Sequence, residues 1–194
     1  MEVSYVFLIL AFVASLISGV VGFGTGLILI TFGSFFYDIK ETIVLANIFF
    51  LGVTLSRTLL FRTHIDWRMV KLMSLLGLPM VLFGATILIP ISPRILEITL
   101  GVTILGYVLQ STSNLFEGLE ATRTRLMVGG GVWGFLGGFV GDGNVVKAAI
   151  FDHVKMPKEA FVATMAFTSL CANLIKYFVY GKLDIPAQSD PLTI

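Results

Sequence analysis

Asp142 and Lys147 stand inside the apolar run Gly137–Lys155, GGFVGDGNVVKAAIFDHVK, among glycines, valines and alanines. An ionisable group within a membrane span costs at least about 2.5–3.5 kcal/mol on insertion scales, so it normally faces a cavity or a partner. Five positions apart on an unbroken helix, two side chains point about 140° away from each other and pair poorly. A helix break at Gly141–Gly143 would let both converge on one cavity. Lys147 would then attract an anion, and Asp142 would carry a coupled proton or balance the lysine. The competing reading has Lys147 snorkelling to an interface and Asp142 capping a half-helix.

The glycines around these charges have a candidate role of their own. Gly22-Phe23-Gly24-Thr25-Gly26 and Gly141-Asp142-Gly143-Asn144 both interrupt apolar sequence. A half-helix N-terminus offers unpaired N–H groups and a partial positive charge, which suits an oxyanion, and glycine lets the ligand approach the backbone. The alternative is close helix packing, the role expected of Gly130 and Gly134 around Val132 and Trp133. Asn47 and Asn173 either line the cavity or bond across helices, and Lys176 is expected to reach the headgroups.

Other chemistry is poorly supported. His64 with Asp66, and Asp152 with His153, sit at segment edges and read as solvated loop residues. Cys171 is alone in an apolar run and reads as a small buried hydrophobe. Metalloprotease, nucleophile-elbow and phosphate-loop patterns are absent from the sequence. No catalytic residue, metal ligand or cofactor is therefore expected.

The elements that must position Asp142 and Lys147 follow from composition. The chain has 194 residues, 56% hydrophobic and 13% charged, with a mean hydropathy of +0.94. Soluble domains run at about 45–50% apolar and about 25% charged, so the solvent here is a lipid bilayer. Thirteen Lys+Arg against twelve Asp+Glu leave no basic face for nucleic acid. The first apolar run is too long for a removable signal and lacks its basic start. Six membrane segments are expected, at 4–37, 42–61, 69–89, 95–113, 126–151 and 160–180. Backbone satisfaction in lipid makes them helices. The first would be roughly 50 Å long as one straight helix, so a glycine-interrupted or re-entrant element is expected there. The basic connection around Arg57, Arg62, Arg68 and Lys71 should face the cytoplasm, and Pro90–Arg94 the outside. The side taken by Lys155 depends on whether the fifth segment crosses or turns back, and charge counting does not choose.

The chain also resembles itself. A shift of 119 positions places Gly19 on Gly138, Val21 on Val140, Gly22 on Gly141 and Gly24 on Gly143. After a one-residue gap, Lys40-Glu41 meets Lys158-Glu159, Val44 meets Val162 and Asp66 meets Asp184. A duplicated unit is expected: a first repeat of four segments at 1–113, a connecting loop at 114–125 and a second repeat at 126–194. The second holds two segments and is expected to be incomplete.

A glycine cluster followed by a helix of the form KEAFVATMAFTSLCANLIKYFVYGKLD, present in two copies, resembles the sulfite exporter TauE/SafE family of membrane permeases. Gly22–Gly26 matches the family's glycine motif with one substitution, and Gly141–Val145 keeps two of its glycines. Ala163, Thr168-Ser169 and Gly181–Asp184 match in the second copy, and Ile65-Asp66 is their counterpart in the first. Thr31 and Ile150 replace the usual proline, and Asp142 and Lys147 are additions to a normally apolar motif. The resemblance implies transport of small sulfur-containing anions such as sulfite or organosulfonates.

The expected molecule is an all-α membrane protein, a polytopic helical bundle with an internal repeat and glycine-interrupted helices, multi-pass in the inner (plasma) membrane. Its substrate-binding residues would be Gly22, Phe23, Gly24, Thr25, Gly26, Gly141, Asp142, Gly143, Asn144 and Lys147. Its partners would be a small inorganic or organosulfur anion and the bilayer, and a homo-oligomer is compatible with it. The alternative is a non-transporting assembly or scaffold subunit whose glycines serve only helix packing.

Overall fold

A computed structural model describes residues 5–21, 25–112 and 122–181, and every regular element among them is helical. In chain order these are α1 (Tyr5–Val21), α2 (Thr25–Gly33), α3 (Ile39–Phe61), α4 (Trp67–Leu88), α5 (Pro93–Thr112), α6 (Arg123–Phe139), α7 (Asn144–His153) and α8 (Lys158–Tyr180). A 3₁₀ turn at Arg62–His64 joins α3 to α4. Helix starts follow side-chain chemistry. Asp38 accepts from Lys40 N at 2.8 Å at the head of α3, and Asp66 accepts from Arg68 N and Met69 N at the head of α4.

Three helical stretches are long and apolar enough to cross a membrane: Ile39–His64, Trp67–Leu88 and Lys158–Tyr180. They coincide with the expected segments at 42–61, 69–89 and 160–180. The expected segment at 95–113 corresponds to α5, which is not among those three. The expected segments at 4–37 and 126–151 each contain two helices. The polar connection at 113–121 lies outside the described residues.

Both helix pairs fold back on themselves. Past the end of α2, the Tyr37 ring meets Phe7 near the start of α1, with centroids 6.2 Å apart. On α7, Ile150 packs where Gly129 of α6 lacks a side chain, and Ala148 and Phe151 share a core with Leu126. Thus α2 runs back along α1, and α7 runs back along α6. The chain reverses after α6 through Gly141, whose φ of 95° lies in the left-handed region that favours glycine.

Two packed pairs hold these hairpins. Along α4 and α6, Gly130 faces Met73, Gly134 faces Gly77 and Gly138 faces Val81, so the helices run parallel. A Cβ on any of these three α6 glycines would strike a backbone carbonyl of α4. That close approach is the small-residue packing used between membrane helices, and it is the role expected of Gly130 and Gly134. Helices α3 and α8 pack antiparallel, with Asn47 Nδ2 donating to Asn173 O at 3.2 Å. The outer surface carries large apolar side chains, among them Phe12, Leu60, Phe83 and Leu105. The buried polar set includes Asn47, Asp142, Lys147, Thr168, Ser169, Asn173 and Lys176. Apolar groups outside and polar groups inside suit a lipid solvent.

Candidate functional site

The break between α6 and α7 exposes backbone groups that must find partners within the protein, because a helix end leaves its last carbonyls and first amides unpaired. Helix α8 supplies the donors. Tyr180 Oη donates to Gly138 O at 2.6 Å, and Lys176 Nζ donates to Gly141 O at 2.9 Å. Lys176 is 3% exposed, so it does not reach the headgroups as its sequence context suggests. It is held inward because the broken helix leaves an acceptor there.

Lys147 is fully buried at 0% exposure, which removes the snorkelling reading. Its ammonium donates to Ser169 Oγ at 2.7 Å, Thr168 Oγ1 at 2.9 Å and Met165 O at 3.2 Å. An ammonium has three donors, so its capacity is filled. The same nitrogen lies 4.2 Å from the centre of the Trp133 ring, a cation–π position worth about 0.5–2 kcal/mol. Ser169 passes the connection on, its hydroxyl donating to Asn144 Oδ1 at 2.9 Å. Ser169, Asn173, Lys176 and Tyr180 recur at helical spacing, so one face of α8 serves the whole break.

Asp142 is 2% exposed. Its Oδ1 accepts from Asn144 N at 2.8 Å, taking one of the first amides of α7. Its carboxylate also abuts the first turn of α2, where a Cβ on Gly26 would collide with it. Oδ2 meets no hydrogen bond of good geometry among the described residues, and the Leu27 amide of α2 also acts on the carboxylate. Lys147 and Lys176 are the charged groups within electrostatic reach of this carboxylate, yet both give their hydrogen bonds to other oxygens.

A cavity of ≈ 60 Å³ opens between the two hairpins and the α3–α8 pair. Thr25, Gly26 and Asn144 line its inner end, and Ser169 and Asn173 line the α8 wall. Thr54 and Arg57 line the α3 wall. On this measure one water needs about 10–15 Å³, so the space holds a few waters or a small ion. Phe50, Val53, Val162, Met165 and Ala166 complete a wall of mixed polarity, and among the described residues Arg57 is the one charged side chain on it.

The expected binding residues therefore separate into groups. Thr25, Gly26 and Asn144 reach the cavity. Asp142 and Lys147 lie behind its wall, and Gly141 and Gly143 are packed instead against Ile30, Ile43 and the Trp133 carbonyl. Gly22, Phe23 and Gly24 lie outside the described residues, as do Lys182–Asp184. His64 is exposed, with Thr63 Oγ1 3.1 Å from its Nδ1. Asp152 is exposed and His153 half-buried. No cluster of metal-binding side chains occurs among the described residues. Arg57 belongs by sequence to a basic connection, yet it lies on α3, where Asn47, Thr54 and Arg57 recur at seven- and three-residue intervals on one helical face. That spacing was the available signal.

Neither a curated protein nor a solved structure matches the chain. The sequence model of the sulfite exporter TauE/SafE family matches residues 7–189, nearly the whole length, and on that match the chain belongs to the TauE/SafE family.

Proposed function

We propose that the chain carries small sulfur-containing anions, sulfite or organosulfonates, across the inner membrane through the cavity between its two helical hairpins. The family makes it a membrane anion transporter. The single observation that carries the finer reading is the lining of the cavity. The starts of α2 and α7 meet at its inner end while Arg57 supplies a cation on the wall. Helix starts and a guanidinium both favour an oxyanion, and among the described residues no carboxylate lines the space.

The duplication we infer from the sequence shift supports this reading. Helix α2 begins at Thr25 and α7 at Asn144, while α3 begins at Ile39 and α8 at Lys158, so both pairs are 119 positions apart. The equivalent helices α3 and α8 run antiparallel, as inverted repeats do around a substrate site near the midplane. The glycine seam between α4 and α6 serves packing, but none of its glycines lines the cavity. Packing and transport are therefore compatible.

The test is uptake of sulfite, methanesulfonate and chloride by proteoliposomes. Wild type should carry sulfite and methanesulfonate. Arg57→Ala should lower the flux about tenfold or more, the scale of one lost charge-assisted contact of about 1.5–3 kcal/mol, and Arg57→Lys should recover part of it. Absence of flux for every anion in correctly folded protein would sink the transport reading and leave the scaffold alternative.

A further inference from the structure

We propose that Asp142 is a tethered internal anion: its carboxylate occupies the place between the starts of α2 and α7, and a substrate anion enters only when Asp142 is protonated or swings away. This rests on the cavity being the transport site. Four observations carry it. The carboxylate is nearly fully buried between two helix starts, each belonging to a helix of at least nine residues. One oxygen takes the amide of Asn144, itself a cavity residue. The group presses on Gly26, a cavity residue on the other helix, so closely that only glycine fits. The remaining oxygen, Oδ2, is buried and meets no hydrogen bond of good geometry among the described residues, while the Leu27 amide of α2 also acts on the carboxylate.

A structural ion pair would look different. Lys147 fills its donors with oxygens of α8, and Lys176 donates to the Gly141 carbonyl. These are the charged groups facing Asp142 from α7 and α8, and α2, α3 and α6 present none to it among the described residues. Two cations are thus placed around an anion position without being hydrogen-bonded to the anion that fills it. A helix cap alone requires one oxygen and no charge, since asparagine caps as well as aspartate. The charge, and the two lysines set around it without hydrogen-bonding to it, are what a cap does not explain.

The consequence concerns coupling. A protonated Asp142 no longer competes for the anion position, so the substrate-bound state holds one extra proton. Proton and anion then move together, and transport accelerates in acid. A tethered group competes at high effective concentration, so removing its charge should have a large effect.

Asp142→Asn separates charge from cap because the amide oxygen can still accept from Asn144 N. Methanesulfonate is the probe, since it keeps one charge across the pH series. Wild-type flux should rise as pH falls. Asp142→Asn should be nearly flat, and at alkaline pH it should exceed wild type by about tenfold. A wild-type-like pH profile in folded Asp142→Asn would overturn the proposal, as would lower flux at every pH. A second measurement does not depend on transport. Asp142→Gly leaves a carboxylate-sized vacancy, so added formate should raise its thermal midpoint in a dose-dependent way while leaving wild type unchanged. If Asp142→Gly folds only in formate, the proposal is supported. Equal response of the two proteins to formate, or no recovery by formate of an unfolded variant, would overturn it. Wild type that carries no anion would instead count against the transport reading, whatever formate does.

Discussion

At the scale of single residues, α8 does two jobs that substitution can separate. Tyr180 Oη satisfies the Gly138 carbonyl at the end of α6 and does not line the cavity. Tyr180→Phe leaves that buried acceptor without its donor, which costs about 1–3 kcal/mol. The thermal midpoint in detergent should fall while the KM for the transported anion stays unchanged. Ser169 lines the cavity and links Lys147 to Asn144. Ser169→Ala should reduce anion flux several-fold and also lower stability, because one Lys147 donor loses its acceptor. A reversed pattern, with Tyr180→Phe altering KM and Ser169→Ala altering neither quantity, would refute this division. Part of it was legible in the sequence. Asp142 and Lys147 stand out as charges in an apolar run, and burial of both follows from that context. The role of Lys176 was not legible, because its acceptor exists only where the chain breaks 35 positions earlier. Arg57 is hard to place for the opposite reason: an arginine near basic neighbours resembles a loop charge until its helical face is traced.

At the scale of elements, the glycines divide by what lies over their Cα atoms. Gly134 of α6 faces the Gly77 carbonyl of α4 with no room for a methyl group, whereas Gly101 and Gly106 of α5 have nothing within 4 Å of such a group. Gly134→Val should therefore force α4 and α6 apart. Overpacking of this kind costs typically about 1–3 kcal/mol, and at a backbone-to-backbone contact the upper part of that range applies. Gly101→Ala should be neutral or stabilising by up to about 1 kcal/mol, through improved helix propensity. Unfolding in detergent of the two variants beside wild type checks the contrast, and equal effects would contradict the seam. The sequence shows that glycine is abundant but not which glycines touch a carbonyl. Spacing helps at Gly130, Gly134 and Gly138, which repeat every four residues on one face. It fails at Gly26, whose crowding comes from a carboxylate more than a hundred positions away.

At the scale of the whole molecule, the two hairpins open toward opposite faces. The Asp38 end of the α1–α2 hairpin lies beside the end of α4, since Lys40 Nζ donates to Ile89 O at 2.9 Å. The open end of the α6–α7 hairpin lies with the start of α4, where Phe151, Met69 and Met165 share a core. Asp66 N also donates there to an α8 hydroxyl, Thr164 Oγ1, at 3.0 Å. The sequence left the side of Lys155 open because a crossing helix and a re-entrant one of equal length carry the same charges. Contact between Gly129 and Ile150 decides for the turn-back, which places Lys155 with Thr122 and the Arg62–His64 turn. By the positive-inside bias, the basic residues of that turn predict that this face is cytoplasmic. Single cysteines in a Cys171→Ser background test the arrangement. An impermeant maleimide added to intact cells should label Ser92→Cys and spare His64→Cys, Thr122→Cys and Lys155→Cys until the membrane is permeabilised. Labelling of Lys155→Cys together with Ser92→Cys in intact cells would mean that α7 completes a crossing. The two helix starts would then no longer meet from opposite sides, and the anion cavity would lose its geometry.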